Sequence, residues 1–326
     1  MAGMGKRMRP HTLTVPKPLL RIAGKPIVQR LVETLAGNSH EPIDEIAFII
    51  GNFGEEVERS LQDIAAHIGA KASIYYQNEA LGTAHAVHCA SQSLEGPVIV
   101  AFADTLFHAD IKINKEQEAI IWASKVEDPS QFGVLLTNGN KITGFVEKPK
   151  TPVSDLAIIG IYYFRNGKKL KAELNHLIDN NLMKNNEFQL TDALQAMLDK
   201  GIVFEHQEVE EWLDCGNKDA TVYTNRRILD RAVKEKLVSE TAKIVNSIIV
   251  PPCYIGPGVE LNNTIIGPHV SVGENTRIEN SIITGSIIQN NTIIVNANID
   301  NSMVGNYVEY KETYKELNIG DFTIIN

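Results

Sequence analysis

Met1-Ala-Gly3-Met-Gly5-Lys6-Arg7-Met-Arg9-Pro10, running on through His11 to Lys17-Pro18, is the stretch from which the rest of the chain is read. Two glycines let a backbone curl and bring its N–H groups close to a ligand. Consecutive N–H groups in such a nest attract anions. Lys6, Arg7, Arg9 and Lys17 add full charges, and an arginine fork suits phosphate oxygens. The pattern reads as a polyphosphate cradle, against a merely solvated basic terminus. Two familiar phosphate loops do not fit. The dinucleotide fingerprint needs a third glycine where Met8 stands. The P-loop needs Gly-Lys followed by Ser or Thr, and Gly24-Lys25 is followed by Pro26.

The cradle sits on an acidic protein. The 326 residues carry a formal net charge of -9, which argues against a general nucleic-acid binder and for a small anionic ligand. The length suggests two domains, and 43% hydrophobic residues suffice for ordinary cores. Cys89, Cys215 and Cys253 are too far apart for a metal pattern or a disulfide framework, so a reducing cytoplasm is expected. No apolar run of about twenty residues could span a membrane, and no signal peptide precedes the loop.

Beyond the cradle, strand and helix alternate. Gly24-Lys25-Pro26 opens a helix with Ile27, Leu31 and Leu35 on one face. Asp44–Ile50 is a buried strand. Gly54–Gly69 is an amphipathic helix with Val57, Leu61, Ile64 and Ile68 inward. Ala72–Tyr76 and Pro97–Ala103 are further strands, with a helix to about Ser91 between them, and Ala157–Phe164 is another. This order predicts an α/β, Rossmann-like mixed sheet, mostly parallel and covered on both faces. Ligands of such sheets bind at the carboxyl ends of strands, where Gln77 and Asp104 stand. Gln77 offers a donor and an acceptor, suited to one edge of a base, or it caps a loop. A lone carboxylate after an apolar strand suits Mg2+, which keeps waters and takes few protein ligands; it also suits a turn cap.

These motifs, in order, resemble those of the sugar-phosphate nucleotidyltransferases. The segments are Gly3-x-Gly5-x-Arg7-Met8-x-Pro10 with Lys17-Pro18; Gln77-x-x-x-x-Gly82-Thr83-Ala84; Asp104; Glu127 to Gly133; Phe145-Val-Glu147-Lys148-Pro149; Gly160; Glu187 to Asp192; and Trp212-Leu-Asp214-Cys-Gly216. The resemblance implies that Gly3, Gly5, Gln77, Gly82 and Thr83 bind the nucleotide. It implies that Gly133, Glu147, Lys148, Gly160 and Glu187 bind the sugar phosphate. Arg7 and Lys17 would be catalytic, and Asp104 and Asp214 would hold Mg2+. Ala103 stands where that family usually has glycine. The family also has a buried strand leading into the glycine loop, and only Met1 and Ala2 precede Gly3 here. The expectation is therefore a first strand missing from the sheet and a true start lying upstream.

After a helix at Asn217–Lys236 with a solvated basic face (Arg226, Arg227 and Arg231), the character changes. Aliphatics recur every five or six residues, often before glycine, and again at seventeen: Ile249, Ile266 and Ile283; Ile255 and Val272; Leu261 and Ile278. One coil of three short strands explains the spacing. A β-sandwich would alternate strictly, with turns about every ten residues. The reading is a left-handed parallel β-helix of hexapeptide type over 244–308, with Asn262-Asn263 and Asn290-Asn291 at corners that need unusual φ. The expected domains are 1–238, nucleotidyltransferase, and 239–326, β-helix with a tail that caps it or joins a homo-oligomer.

The implied reaction joins a nucleoside triphosphate to a sugar 1-phosphate and releases pyrophosphate. Thymidylyl transfer to glucose 1-phosphate is the first expectation, guanylyl transfer to mannose 1-phosphate the second and uridylyl transfer the third. Two other classes stay open. One is a β-helix acyltransferase with His269 as base, disfavoured by the few coils. The other is a non-catalytic nucleotide-sugar binder.

Overall fold

The computed structural model describes residues 5–39, 41–110, 113–114, 116–184, 186–232, 235–313, 316 and 318–324. It divides into two compact units, Met1–Leu20 with Pro26–Gly216 and Arg21–Lys25 with Asn217–Asn326. The division expected at 238 therefore differs by a helix and by one short hairpin.

The elements up to this helix, in chain order, are β1 (Arg21–Ile22), β2 (Lys25–Pro26), α1 (Ile27–Asn38), β3 (Glu45–Ile50), α2 (Glu55–His67), β4 (Lys71–Tyr76), α3 (Thr83–Cys89), β5 (Val98–Ala101) and β6 (Thr105–His108). They continue with β7 (Ala119–Lys125), β8 (Gly133–Asn138), β9 (Lys141–Glu147), β10 (Leu156–Phe164), α4 (Gly167–Asp179), α5 (Leu190–Asp199), β11 (Phe204–Glu208), β12 (Glu211–Asp214) and α6 (Lys218–Arg231).

In the first unit the main sheet runs β5-β10-β7-β11-β9-β8. It is mixed, as expected, but not mostly parallel. Only β7 and β11 pair in parallel; β5/β10, β7/β10, β9/β11 and β8/β9 are antiparallel. Of these pairs only β8/β9 is a hairpin, whose short turn obliges its strands to run antiparallel; the others join strands distant in sequence. The parallel pair β3/β4, separated by α2, forms its own two-stranded sheet. All nine residues of β10 are buried, which is why its sequence is apolar without alternation. Its side chains pack with α3, α4 and α5 in one core. A second core joins Val28 and Val32 of α1 to Phe48, Leu61 and Ile64.

From Lys243 on, the strands of the second unit pair in parallel with those three places away. Lys243–Val245 lies against Glu260–Asn262, then Arg277–Glu279, Ile293–Val295 and Glu309–Lys311. Two more such ladders complete each turn of the coil. Leu261, Ile278, Ile294, Ile266, Ile283, Ile255, Val272 and Ile288 fill its interior. The seventeen-residue period holds for the early turns (Ile249 opposite Ile266, then Ile283) and shortens by one where Val272 faces Ile288. Asn246, Asn263, Asn280 and Asn296 all have left-handed φ, and their amides link one turn to the next. Asparagine is the residue that tolerates such φ and still offers a donor and an acceptor for a ladder.

The hairpin Arg21–Lys25 belongs to this second unit. Its Ala23 N–H donates to Asn225 Oδ1 of α6 at 2.9 Å. Gln289 donates to Arg21 O at 2.9 Å, and Arg21 pairs with Glu274 at 3.1 Å.

Candidate functional site

The acidic end is built by two short strands. β6 and β12 pair antiparallel with Asp214 opposite Thr105, and Cys215 N donates to Asp104 O at 3.1 Å. Asp104 and Asp214, far apart in sequence, are thus placed side by side. Lys17, buried in the turn Lys17–Leu19, puts Nζ 2.6 Å from Asp104 Oδ2. Burial pushes the Asp214 carboxyl above the usual range and the charge of Asp104 pushes the same way; the Gly216 N–H, Lys17 and Arg7 pull against them. Lys17 and Arg7 therefore act on the same carboxylate. A Cβ on Gly216 would lie 2.5 Å from Asp214 Oδ2, so a side chain there would displace the carboxylate.

Arg7 lies exposed in the turn Lys6–Met8, anchored by the buried Met8. Gly5, at φ 52°, opens that turn; its carbonyl accepts from Met8 N and Thr12 Oγ1, each at 2.8 Å. Gly3 lies outside the described residues.

The two carboxylates fit a cation that keeps most of its shell as water or phosphate oxygens. A bound cation would relieve the repulsion that raises Asp214. Among the described residues no group of three or more His, Cys, Asp or Glu gathers as a metal cage.

Gln77 follows β4 and is 8% exposed. Its Nε2 donates to Gly82 O at 3.1 Å and lies 3.0 Å from His85 Nδ1. Gly82 has φ 104°, and a Cβ there would sit 2.5 Å from Phe188 O. Within the protein, glycine is therefore demanded by Phe188. Thr83, expected at the nucleotide, accepts from Leu190 N at 3.0 Å. Phe188 N donates to Leu81 O and Ala84 N to Phe188 O, so the segments 81–84 and 187–190 are locked together.

At the third end, Gly133 and Glu147 stand opposite each other on β8 and β9. Glu147 Oε2 accepts from Thr191 Oγ1 at 3.1 Å, and Lys148 Nζ lies 3.8 Å from Glu147 Oε1. Lys148 has a left-handed φ of 43°. Burial, with the charge of Glu147, pushes the Tyr162 hydroxyl well above its ordinary range. Gly160 lies where the β7/β10 register shifts; its φ is 86°, and a Cβ would meet the Phe102 ring at 2.7 Å. Glu187 Oε2 accepts from Gln189 Nε2 at 2.8 Å. The rings of Phe132 and Trp212 meet edge to face at 4.9 Å, which ties the residue before Gly133 to the strand of Asp214.

Sequence reasoning missed His85, Thr12 and Thr191, whose hydroxyl holds Glu147. Gly216 was noted only as the end of a motif. The signal for Thr191 was faint: a hydroxyl in a first helical turn is usually local.

Lys17 thus meets the paired carboxylates, Gln77 is fixed between Gly82 and His85, and Glu147 pairs with Lys148 at the end of β9. A family model described as nucleotidyl transferase matches residues 1–231, and the chain belongs to that family. A glucose-1-phosphate thymidylyltransferase of Streptomyces antibioticus is 29% identical over 347 residues, covering 99% of this chain and 95% of that protein. A protein named as a mannose-1-phosphate guanyltransferase of Sulfolobus acidocaldarius is 30% identical over 292 residues, covering 86% and 73%. The crystal structure of a UDP-glucose pyrophosphorylase with UDP-glucose superposes with a TM-score of 0.58 at 25% identity, covering 71% of this chain and 96% of that one.

Proposed function

We propose that the protein transfers a nucleotidyl group from a nucleoside triphosphate to a sugar 1-phosphate, giving a nucleoside-diphosphate sugar and pyrophosphate. The observation that carries this is the Lys17–Asp104 ion pair, with β6/β12 pairing bringing Asp214 beside Asp104. A phosphate oxygen of the sugar 1-phosphate attacks the α-phosphorus, and pyrophosphate leaves in line. Such chemistry asks little covalent work of side chains; positioning and charge neutralisation carry the rate. Lys148 holds the attacking phosphate. Arg7 neutralises the charge that grows on the leaving pyrophosphate. Lys17 exchanges Asp104 for the triphosphate as substrate enters. Glu147, fixed by Thr191, accepts from sugar hydroxyls, and Glu187 does the same. Asp104 and Asp214 would hold Mg2+, which when bound neutralises the reacting phosphates.

The proposed pair is dTTP and glucose 1-phosphate, supported by the length over which the Streptomyces antibioticus protein matches. Guanylyl transfer to mannose 1-phosphate is the alternative, favoured by the Sulfolobus acidocaldarius protein. The coil is read as a left-handed β-helix of hexapeptide type.

The test is pyrophosphate release with Mg2+ across dTTP, GTP, UTP and CTP, each against glucose 1-phosphate and mannose 1-phosphate. Release with one pair names the substrates. Nucleotide-sugar binding with no release from any pair would replace the enzyme by a binder.

A further inference from the structure

The arrangement around Gln77 fixes more than its position. Gly82 O can only accept, so the atom facing it is Nε2 and not Oε1. The other hydrogen of Nε2 points at His85 Nδ1, 3.0 Å away. His85 must then offer a lone pair at Nδ1 and carry its proton on Nε2. Burial, with the nearby His88, lowers the pKa of His85 against the opposing charge of Glu79, which favours the neutral ring. The Phe188 ring stacks on His85 with centroids 6.5 Å apart and holds its plane. Both amide hydrogens are thus engaged, and among the described residues nothing donates to Oε1.

We infer that His85 is a positioning residue for base choice: it locks the Gln77 amide so that the oxygen alone faces the base. This rests on the proposed nucleotidyl transfer and on the role that the family resemblance implies for Gln77, contact with the base. An oxygen at that point needs an N–H in the middle of the pairing edge. Thymine and uracil have N3–H there, and guanine has N1–H. Cytosine and adenine carry a bare ring nitrogen, which would set acceptor against acceptor. A buried polar group left without its partner is what gives a site of this kind its discrimination. With His85 removed, one hydrogen bond, to Gly82 O, opposes the turn instead of two, so the amide brings its NH2 to the base at a smaller cost and the bias against the cytosine edge weakens.

The experiment measures kcat/KM for dTTP against dCTP, and for GTP against ATP, in wild type, His85→Ala and His85→Asn. Calorimetric binding of the same nucleotides is run beside it. In His85→Ala the preference for the imino base falls by about tenfold, the loss of one hydrogen-bond constraint. It falls through KM, with kcat for the preferred nucleotide held within about threefold. Asn Oδ1 can stand where His Nδ1 stood, so His85→Asn restores most of the preference. An unchanged preference in His85→Ala, or an equal loss in both variants, overturns the inference. A wild type that releases no pyrophosphate yet binds dTTP over dCTP, with the preference lost in His85→Ala, sinks the transfer reaction and keeps this inference. A wild type that binds none of the nucleotides sinks both.

Discussion

Lys17 Nζ sits 2.6 Å from Asp104 Oδ2, so the cation expected to hold triphosphate is ion-paired with the acid expected to hold a metal. The lysine is 9% exposed at its side chain and the aspartate 41%. A buried ammonium of this kind is kept in place by its partner, since an unpaired buried charge is costly. Lys17→Ala, Arg7→Ala and Asp104→Ala are each expected to lower pyrophosphate release by about a hundredfold or more, while far-ultraviolet circular dichroism stays unchanged. A variant with near-normal turnover removes its residue from the scheme.

Asp214 gives a pH prediction. Its folded carboxyl is raised by burial and by Asp104, so the native state binds its proton more tightly than the unfolded chain does. The charged form therefore costs native stability at neutral pH. That cost is absent below the unfolded carboxylate range and grows as pH rises through the raised value. Asp214→Asn should melt above wild type at pH 7, and the difference should vanish in acid. Added Mg2+ should raise the melting temperature of wild type more than that of the variant. A variant that melts below wild type at pH 7 would contradict the sign.

Thr191 Oγ1 holds Glu147 Oε2 at 3.1 Å. Thr191→Val keeps the shape and removes the hydroxyl, and should raise KM for the sugar phosphate by about tenfold with little change in KM for the nucleotide. An equal rise in both would mean that the threonine supports the fold and not the sugar end.

Gly82→Ala sets a Cβ 2.5 Å from Phe188 O at a left-handed φ of 104°. Neither the carbonyl nor the backbone can yield cheaply, and a cost of about 2 kcal/mol or more is expected. Urea unfolding measures it. Gly54→Ala, also at positive φ but with nothing within 4 Å of the added atom, is the control and should cost less.

Asn225 is fully buried in α6; it accepts from Ala23 N and Ser271 Oγ and donates to His269 O. Asn225→Leu leaves those groups orphaned, and about 2 kcal/mol or more of destabilisation is expected in the second unit. A thermal transition at the wild-type temperature would show that water replaces the amide.

The sequence by itself determined whatever repeats or sits within one short segment. The seventeen-residue period reports an aliphatic returning to the same wall of a coil, and the paired asparagines report corners that need left-handed φ. The charged turn after Gly5 and the one apolar face of α1 are legible for the same reason, because the cause lies within a few residues. Tertiary structure decided the remainder. Antiparallel pairing of β6 with β12 brings Asp214 beside Asp104, and the sheet is largely antiparallel through pairs such as β5/β10 and β7/β10 that join strands distant in sequence. The partners of Glu147 and Gly82 are also fixed by tertiary structure. Each is a hydrogen bond or a steric contact set by packing, and Thr191 and Phe188 reach their partners from distant stretches of chain, where no local pattern records the pairing.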